Sequence, residues 1–329
     1  MPPRVARLAP LIAVAAIAFV AGNYLGWFAP RTPPPPPPSP TLVDDVLRTI
    51  RAHYVDSLSA DDLTYLAAQA IVERLRDPYA AVLARERERR RVVVTEARAT
   101  GDVKILEAGI GFVSLTSFTA TSAADLRQAI LTLHPEALRA LILDLRGNPG
   151  GLVEEAVKVA DLFLDQAAPI ATVRGRTARA SRRFVAMTDQ EWPDLPLVVL
   201  VNEDTKSAAE LVAGALQEHD RAAIVGLPTY GKGSVQQTIR LSDTMALRLT
   251  TGRWYTPSGR RMERDSAVDS ARVYSFGGRP LPEGGRGVIP DLVVPQDRQL
   301  QAAVDLLRHA PTTRELLELA AVAGQSLRR

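Results

Sequence analysis

No cysteine occurs among the 329 residues. Disulfides, thiol nucleophiles and cysteine-ligated metals are thereby excluded. Histidine is nearly as scarce, with His53, His134, His219 and His309 as the whole set. They show neither HExxH nor HxH spacing, so no metal site and no cofactor is expected. Lysine occurs only at Lys104, Lys158, Lys206 and Lys232, and arginine carries most of the positive charge. Each lysine therefore merits inspection, because a lysine can shed its proton when its surroundings disfavour the charge and an arginine cannot. There is also no block of like charge. The formal net charge is +3, and the densest basic run, Arg85 to Arg91, is interleaved with Glu86 and Glu88. That run reads as a solvated helix face, and no nucleic-acid partner is expected.

What is present suffices for a folded core. The hydrophobic fraction is 46%, and the length leaves room for one sizeable domain and a smaller module. Leu8 to Phe28 is an apolar stretch preceded by Arg4 and Arg7. At about 1.5 Å per residue it reaches roughly 31 Å, enough for a bilayer core. An uncleaved anchor with a cytoplasmic N-terminus is the expectation, and a cleaved signal peptide is the alternative. The prolines from Pro30 to Pro40, continuous over Pro33 to Pro38, form a stiff extended spacer.

Beyond the spacer, Thr41 to about Leu83 has apolar residues at helical spacing, with Asp77-Pro78 as a stop. Arg85 to Leu106 is polar and reads as irregular or edge strand. From Gly109 strands and helices alternate. The strands are Gly111–Leu115, Ala140–Leu145, Leu197–Val201 and Ala222–Val225, and the helices are Ala123–Leu133, Val153–Leu164 and Ala208–Gln217. Thr238–Leu241 and Ala246–Trp254 read as further strands. The rhythm predicts an α/β domain with buried, largely parallel strands.

Three places carry chemistry. Ser207-Ala208-Ala209-Glu210 follows a buried strand and opens a helix. A serine there lies near free backbone N–H groups that can hold an oxyanion, although Ser-x-x-Glu is equally a capping box. Lys232 stands between Gly231 and Gly233. Gly226-x4-Gly231-Lys232 imitates a phosphate-binding loop, but Gly233 occupies the position that needs Ser or Thr. The other task for such a lysine is to act as a desolvated base beside a nucleophile. Gly147-Asn148-Pro149-Gly150-Gly151 closes another buried strand, where sites in open α/β sheets lie.

Together these blocks resemble the C-terminal processing (tail-specific) serine proteases. The segments concerned are Leu143-Asp144-Leu145-Arg146-Gly147-Asn148-Pro149-Gly150-Gly151, Ser207-Ala208-Ala209-Glu210, Tyr230-Gly231-Lys232-Gly233-Ser234-Val235-Gln236, Tyr255-Thr256-Pro257-Ser258-Gly259 and Gly287-Val288-Ile289-Pro290-Asp291. His53-Tyr54-Val55-Asp56 and Asp77-Pro78-Tyr79 extend the likeness upstream. The resemblance implies a crotonase- and ClpP-like α/β domain. It also implies Ser207 as nucleophile, Lys232 as its base and Gln236 as the residue that orients the base. Its oxyanion donors would be Ala208 with Gly150 or Gly151. Two departures stand out. Lys206 precedes the serine, where the family has small residues. Only about 25 residues separate Leu83 from Gly109, where the family carries a PDZ domain.

The expected organisation is a cytoplasmic start and membrane anchor (1–29), the proline spacer (30–40), a helical segment (41–84) and a short connector (85–108). A serine protease domain (109–296) and a C-terminal helical segment (297–329) follow. The expected activity is endopeptidase cleavage of envelope or exported proteins, with the catalytic domain periplasmic or extracellular. An inactive, protease-like scaffold that binds envelope proteins is the alternative. Expected partners are protein or peptide substrates and the membrane; a homo-oligomer or an adaptor is left open.

Overall fold

The computed structural model describes residues 41–55, 58–84, 99–242, 245–263 and 287–326. The apolar stretch Leu8–Phe28 and the proline spacer lie outside them. Among the described residues no helix is long and apolar enough to cross a membrane. The chain divides after Leu66 into two compact units. Helix α1 (Leu42–His53) belongs to the first; it buries no residue, and Leu42, Val43 and Val46 are exposed. Helix α2 (Ala60–Arg74) begins in the first unit and ends in the second.

The larger unit is built on two sheets. The first has six strands: β2 (Thr100–Ile105), β3 (Ile110–Leu115), β4 (Ala140–Asp144), β7 (Leu197–Val201), β8 (Ala223–Gly226) and β11 (Leu292–Val293). Their spatial order is β11-β8-β7-β4-β3-β2, and every pairing is parallel except β2 with β3. Its central strands β4, β7 and β8 are apolar but for Asp144 at the end of β4, because both faces are covered. Side chains alternate across a strand. Leu141, Leu143, Leu197, Val199 and Ile224 therefore point into one core, and Ile142, Val198, Leu200 and Val225 into the other.

Helices α3 (Ser122–Thr132), α4 (Val153–Asp161) and α5 (Ala208–Glu218) cover the first face through Leu126, Val159 and Val212. Helices α6 (Gln299–His309) and α7 (Thr313–Ser326) cover the second through Val304, Leu307 and Leu316. The C-terminal helical segment therefore contributes to the main domain's core.

The second sheet corrects the expectation of largely parallel strands. It is antiparallel throughout and comprises β1 (Ala81–Ala84), β5 (Pro169–Gly175), β6 (Arg182–Val185), β9 (Ser234–Arg240) and β10 (Met245–Tyr255). Strand β1 lies in sequence read as helical; pairing with β10 decides its conformation, and local periodicity does not. Thr100–Ile105, from the polar stretch read as irregular or edge strand, is an edge strand.

This layering makes a stability contrast. Leu143 is fully buried in β4, and Leu143→Ala should cost about 2–5 kcal/mol through lost contacts and a cavity. Met187 is 71% exposed, and Met187→Ala should stay within about 0.5 kcal/mol of wild type. Urea midpoints of the two variants test this. Similar midpoints would mean that β4 is not the core strand described.

Candidate active site

Strands β4, β7 and β8 are adjacent and parallel, so the loops after their last residues leave the sheet at one end. Those loops are Gly147–Gly151, Asn202–Ser207 and Leu227–Gly233. Three motifs far apart in sequence are thus brought together by strand direction, as at other sites in open α/β sheets.

The turn after β7 is strained. Ser207 has φ 56° and ψ −114°, a left-handed conformation that a side-chain-bearing residue adopts at a cost of about 1–3 kcal/mol. Such a sharp strand-to-helix turn lifts a serine hydroxyl clear of the sheet. The capping-box arrangement with Glu210 is also present. Its tight bond runs from the Ser207 N–H to Glu210 Oε2 at 2.7 Å. The cap is thus held between the Ser207 main chain and the Glu210 side chain.

Glu210 is fully buried. Its Oε2 also accepts the Lys232 N–H at 2.8 Å, and its Oε1 accepts the Gly231 N–H at 2.7 Å and the Thr229 hydroxyl at 2.6 Å. Burial pushes this carboxyl above its ordinary value, while the four donors pull it back. The main chains of Ser207 and Lys232 thus converge on one oxygen. Three further bonds seat the lysine loop. Trp254 Nε1 donates to the Lys232 carbonyl at 3.0 Å, the Trp254 N–H to the Gly233 carbonyl at 2.9 Å, and the Val288 N–H to Thr229 Oγ1 at 2.7 Å.

The glycine turn closes the third side. Asn148 is fully buried, and its Nδ2 donates to the Leu115 carbonyl at 2.8 Å. Its own carbonyl accepts the Lys206 N–H at 2.9 Å, and its Oδ1 accepts the Gly150 N–H at 2.8 Å. Gly150 has φ 92°, and a Cβ there would stand 2.9 Å from the Ser207 Cβ. Only glycine permits that approach. Sequence left Gly150 and Gly151 equivalent, and in the structure their N–H groups differ in hydrogen bonding. The Gly150 N–H is taken by Asn148, whereas among the described residues neither the Gly151 nor the Ala208 N–H finds an acceptor.

The side chains around the lysine are specific. Lys232 Nζ lies 5.1 Å from the centre of the Tyr79 ring. Burial, and then the neighbouring Tyr230, pushes the Tyr79 phenol up to about 12, so it stays protonated. Lys206 ion-pairs with Asp204 at 3.2 Å and lies over the Tyr230 ring at 4.6 Å. Gln236 lies on β9, opposite Thr250 of β10, and its amide nitrogen is buried without a hydrogen bond. His219 caps the far end of α5. It stands one eleven-residue helix from Ser207, about 16 Å at 1.5 Å per residue. Among the described residues no cluster of three or more His, Cys, Asp or Glu residues could hold a metal ion.

Sequence reasoning read Glu210 only as a cap partner and missed Asn148 and Thr229. The acceptor role of Glu210 had no local signal, because three of its donors lie 19 to 22 residues downstream.

A strained serine turn and a lysine loop at the end of a parallel α/β sheet make up the layout of a serine-type protease domain. The chain belongs to Peptidase family S41, the C-terminal processing proteases, whose profile matches residues 109–273, half of its length. It is 40% identical over 186 residues to the carboxy-terminal-processing protease of Bartonella bacilliformis, covering 55% of this chain and 42% of that one. It is 35% identical over 166 residues to a Staphylococcus haemolyticus protein named "Probable CtpA-like serine protease", covering 50% and 34%. It thus spans less than half the length of these curated relatives. A lipoprotein from Streptococcus agalactiae shares the fold, with a TM-score of 0.55 and 18% identity over 81% of this chain and 94% of that one.

Glu210→Gln keeps the shape of the side chain but turns an acceptor oxygen into a donor facing N–H groups. It should lower stability by about 1–3 kcal/mol, as for a buried hydrogen bond left unmade. Urea unfolding measures this, and a variant as stable as wild type would show that the carboxylate does not hold the two loops.

Proposed function

We propose that this chain is a serine endopeptidase with a Ser207–Lys232 dyad. The observation that carries the reading is the shared Glu210 oxygen, which sets the nucleophile turn and the lysine loop against each other. In this mechanism neutral Lys232 Nζ takes the Ser207 hydroxyl proton while Oγ attacks a peptide carbonyl. The Ala208 and Gly151 N–H groups receive the oxyanion, since neither has another acceptor among the described residues. The tetrahedral intermediate collapses to an acyl-enzyme, and the lysine ammonium returns its proton to the leaving amine. Water, deprotonated by the same lysine, then releases the acyl group. Gln236, with an amide nitrogen that has no partner, is assigned the task of orienting the lysine or its substrate.

The helical start, the crotonase- and ClpP-like character of the core and the absence of a PDZ domain belong to the same reading. Strand β1 ends at Ala84 and β2 begins at Thr100, which leaves only a short connector between them. The membrane anchor at Leu8–Phe28 and an exported catalytic domain rest on Arg4, Arg7 and the proline spacer.

Ser207→Ala and Lys232→Ala should each abolish hydrolysis of a model protein substrate, and the double variant should be no worse than either. Lys232→Arg should also be inactive, because arginine holds its proton. A fluorophosphonate probe should label wild type and not Ser207→Ala. Wild-type turnover by any of these single variants would refute the dyad.

For topology, a reporter fused after Arg329 should behave as exported. Activity there of a reporter that functions only in the cytoplasm would reverse the orientation.

A further inference from the structure

Beside the lysine loop, and reached through Tyr230 and Gly231, lies a cavity of about 990 Å³. Five arginines line it: Arg76, Arg174, Arg176, Arg253 and Arg261. Among the described residues the carboxylates that line it are Asp77 and Glu263. Glu263 is already shared by Arg253 at 2.7 Å and Arg261 at 2.5 Å. One Asp77 oxygen accepts the Tyr79 N–H at 2.9 Å. Among the described residues Arg76, Arg174 and Arg176 carry no ion pair. Arg174 is instead laid over the Tyr255 ring at 4.4 Å, which leaves its N–H edge available.

The wall of this cavity is a strand edge. Strand β9 runs along one side of β10 from Ala246 to Arg253. On the other side β1 pairs with Met245–Arg248 and β5 with Gly252–Tyr255. Leu249, Thr250 and Thr251 are left between them with no partner strand on that side among the described residues, and all three line the cavity. The Thr250 hydroxyl is buried there without a hydrogen bond. An unpaired stretch of strand is a place where an extended peptide adds through its main chain. Tyr79, whose ring lies against Lys232 Nζ, belongs to the same wall, so the cavity and the proposed base adjoin.

We propose that this cavity is the subsite for an acidic segment of the substrate, an extended peptide carrying Asp or Glu close to the bond that is cut. The proposal rests on the protease reading above and adds a substrate class to it. Charge decides between side-chain and terminal carboxylates. Arg76 after α2, and Arg174 and Arg176 at the end of β5, each without an ion pair among the described residues, match several carboxylates spaced along a peptide, and a single α-carboxylate would occupy one of them.

The test uses the full chain and three peptides with one cleavable core. The first is flanked by three glutamates and amidated, the second by three glutamines and amidated, and the third by three glutamines with a free C-terminus. The glutamate peptide should have the higher kcat/KM by about tenfold at low salt, the effect of a few partly exposed ion pairs, and the advantage should shrink as salt is added. Arg174→Gln combined with Arg176→Gln should bring the glutamate-to-glutamine ratio to about one. Arg314→Gln, outside the cavity, should leave the ratio as in wild type.

A ratio near one in wild type, or a ratio unchanged in the double variant, would overturn the proposal. So would a free-acid peptide that gains as much as the glutamate peptide. If no peptide is cut, the protease reading fails. The subsite is then judged by fluorescence anisotropy on Ser207→Ala. Tighter binding of the glutamate peptide, lost in the arginine double variant, upholds it, and equal binding of all three peptides removes it.

Discussion

The site depends on one buried carboxylate. Glu210 accepts hydrogen bonds from the Ser207 turn and from three positions of the loop that carries Lys232. A lone carboxylate in the interior is costly unless its lone pairs are filled. Here all four partners are donors, and three of them are backbone N–H groups whose positions follow from the chain path. The arrangement therefore works in both directions. The loops must come together to satisfy the carboxylate, and the carboxylate must be present for those N–H groups to lose water. It also helps to support the unfavourable φ of Ser207, since the N–H of that residue is among the four. Its place in the first turn of α5 adds the favourable field of a helix N-terminus.

Parallel strands make the convergence possible. Asp144, Val201 and Gly226 end three neighbouring strands in one direction, so the loops after them are forced to one side whatever their sequence. The loops are then tied to one another. The Gly147 N–H donates to Asn202 Oδ1, Thr205 Oγ1 donates to the Leu145 carbonyl, and the Tyr230 N–H donates to the Thr205 carbonyl. The first two join the chain after β4 to the loop after β7, and the third joins that loop to the one after β8.

Much of this was legible in the sequence, for physical reasons. Strands buried on both faces are uniformly apolar, and Ala140–Asp144 and Leu197–Val201 announce themselves in that way. Residues bound by backbone demands are also legible, as with the glycine pair of which Gly150 must approach Ser207 and Gly151 must approach Phe118. The antiparallel sheet was legible only in β9 and β10. Its other strands give weak signals: β1 is four apolar residues at the end of a helical pattern, β5 does not alternate cleanly, and β6 is four residues with two arginines. Ala81–Ala84 could be assigned only from its pairing with β10. Which glycine N–H the Asn148 side chain takes was likewise closed to sequence.

The two sheets divide the work. The parallel sheet supplies rigid strand ends, which is where groups that must be placed within fractions of an ångström belong. The antiparallel sheet supplies an edge and charge, which can tolerate variation in what they bind. The two meet at the lysine loop. Gly231 and Lys232 give their N–H groups to Glu210 under the first sheet, and the carbonyls of Lys232 and Gly233 accept from Trp254 of the second. A peptide drawn to the β10 edge would therefore press on the same loop that carries the proposed base. In the proposed mechanism, recognition and proton transfer would meet in the main chain of Gly231, Lys232 and Gly233.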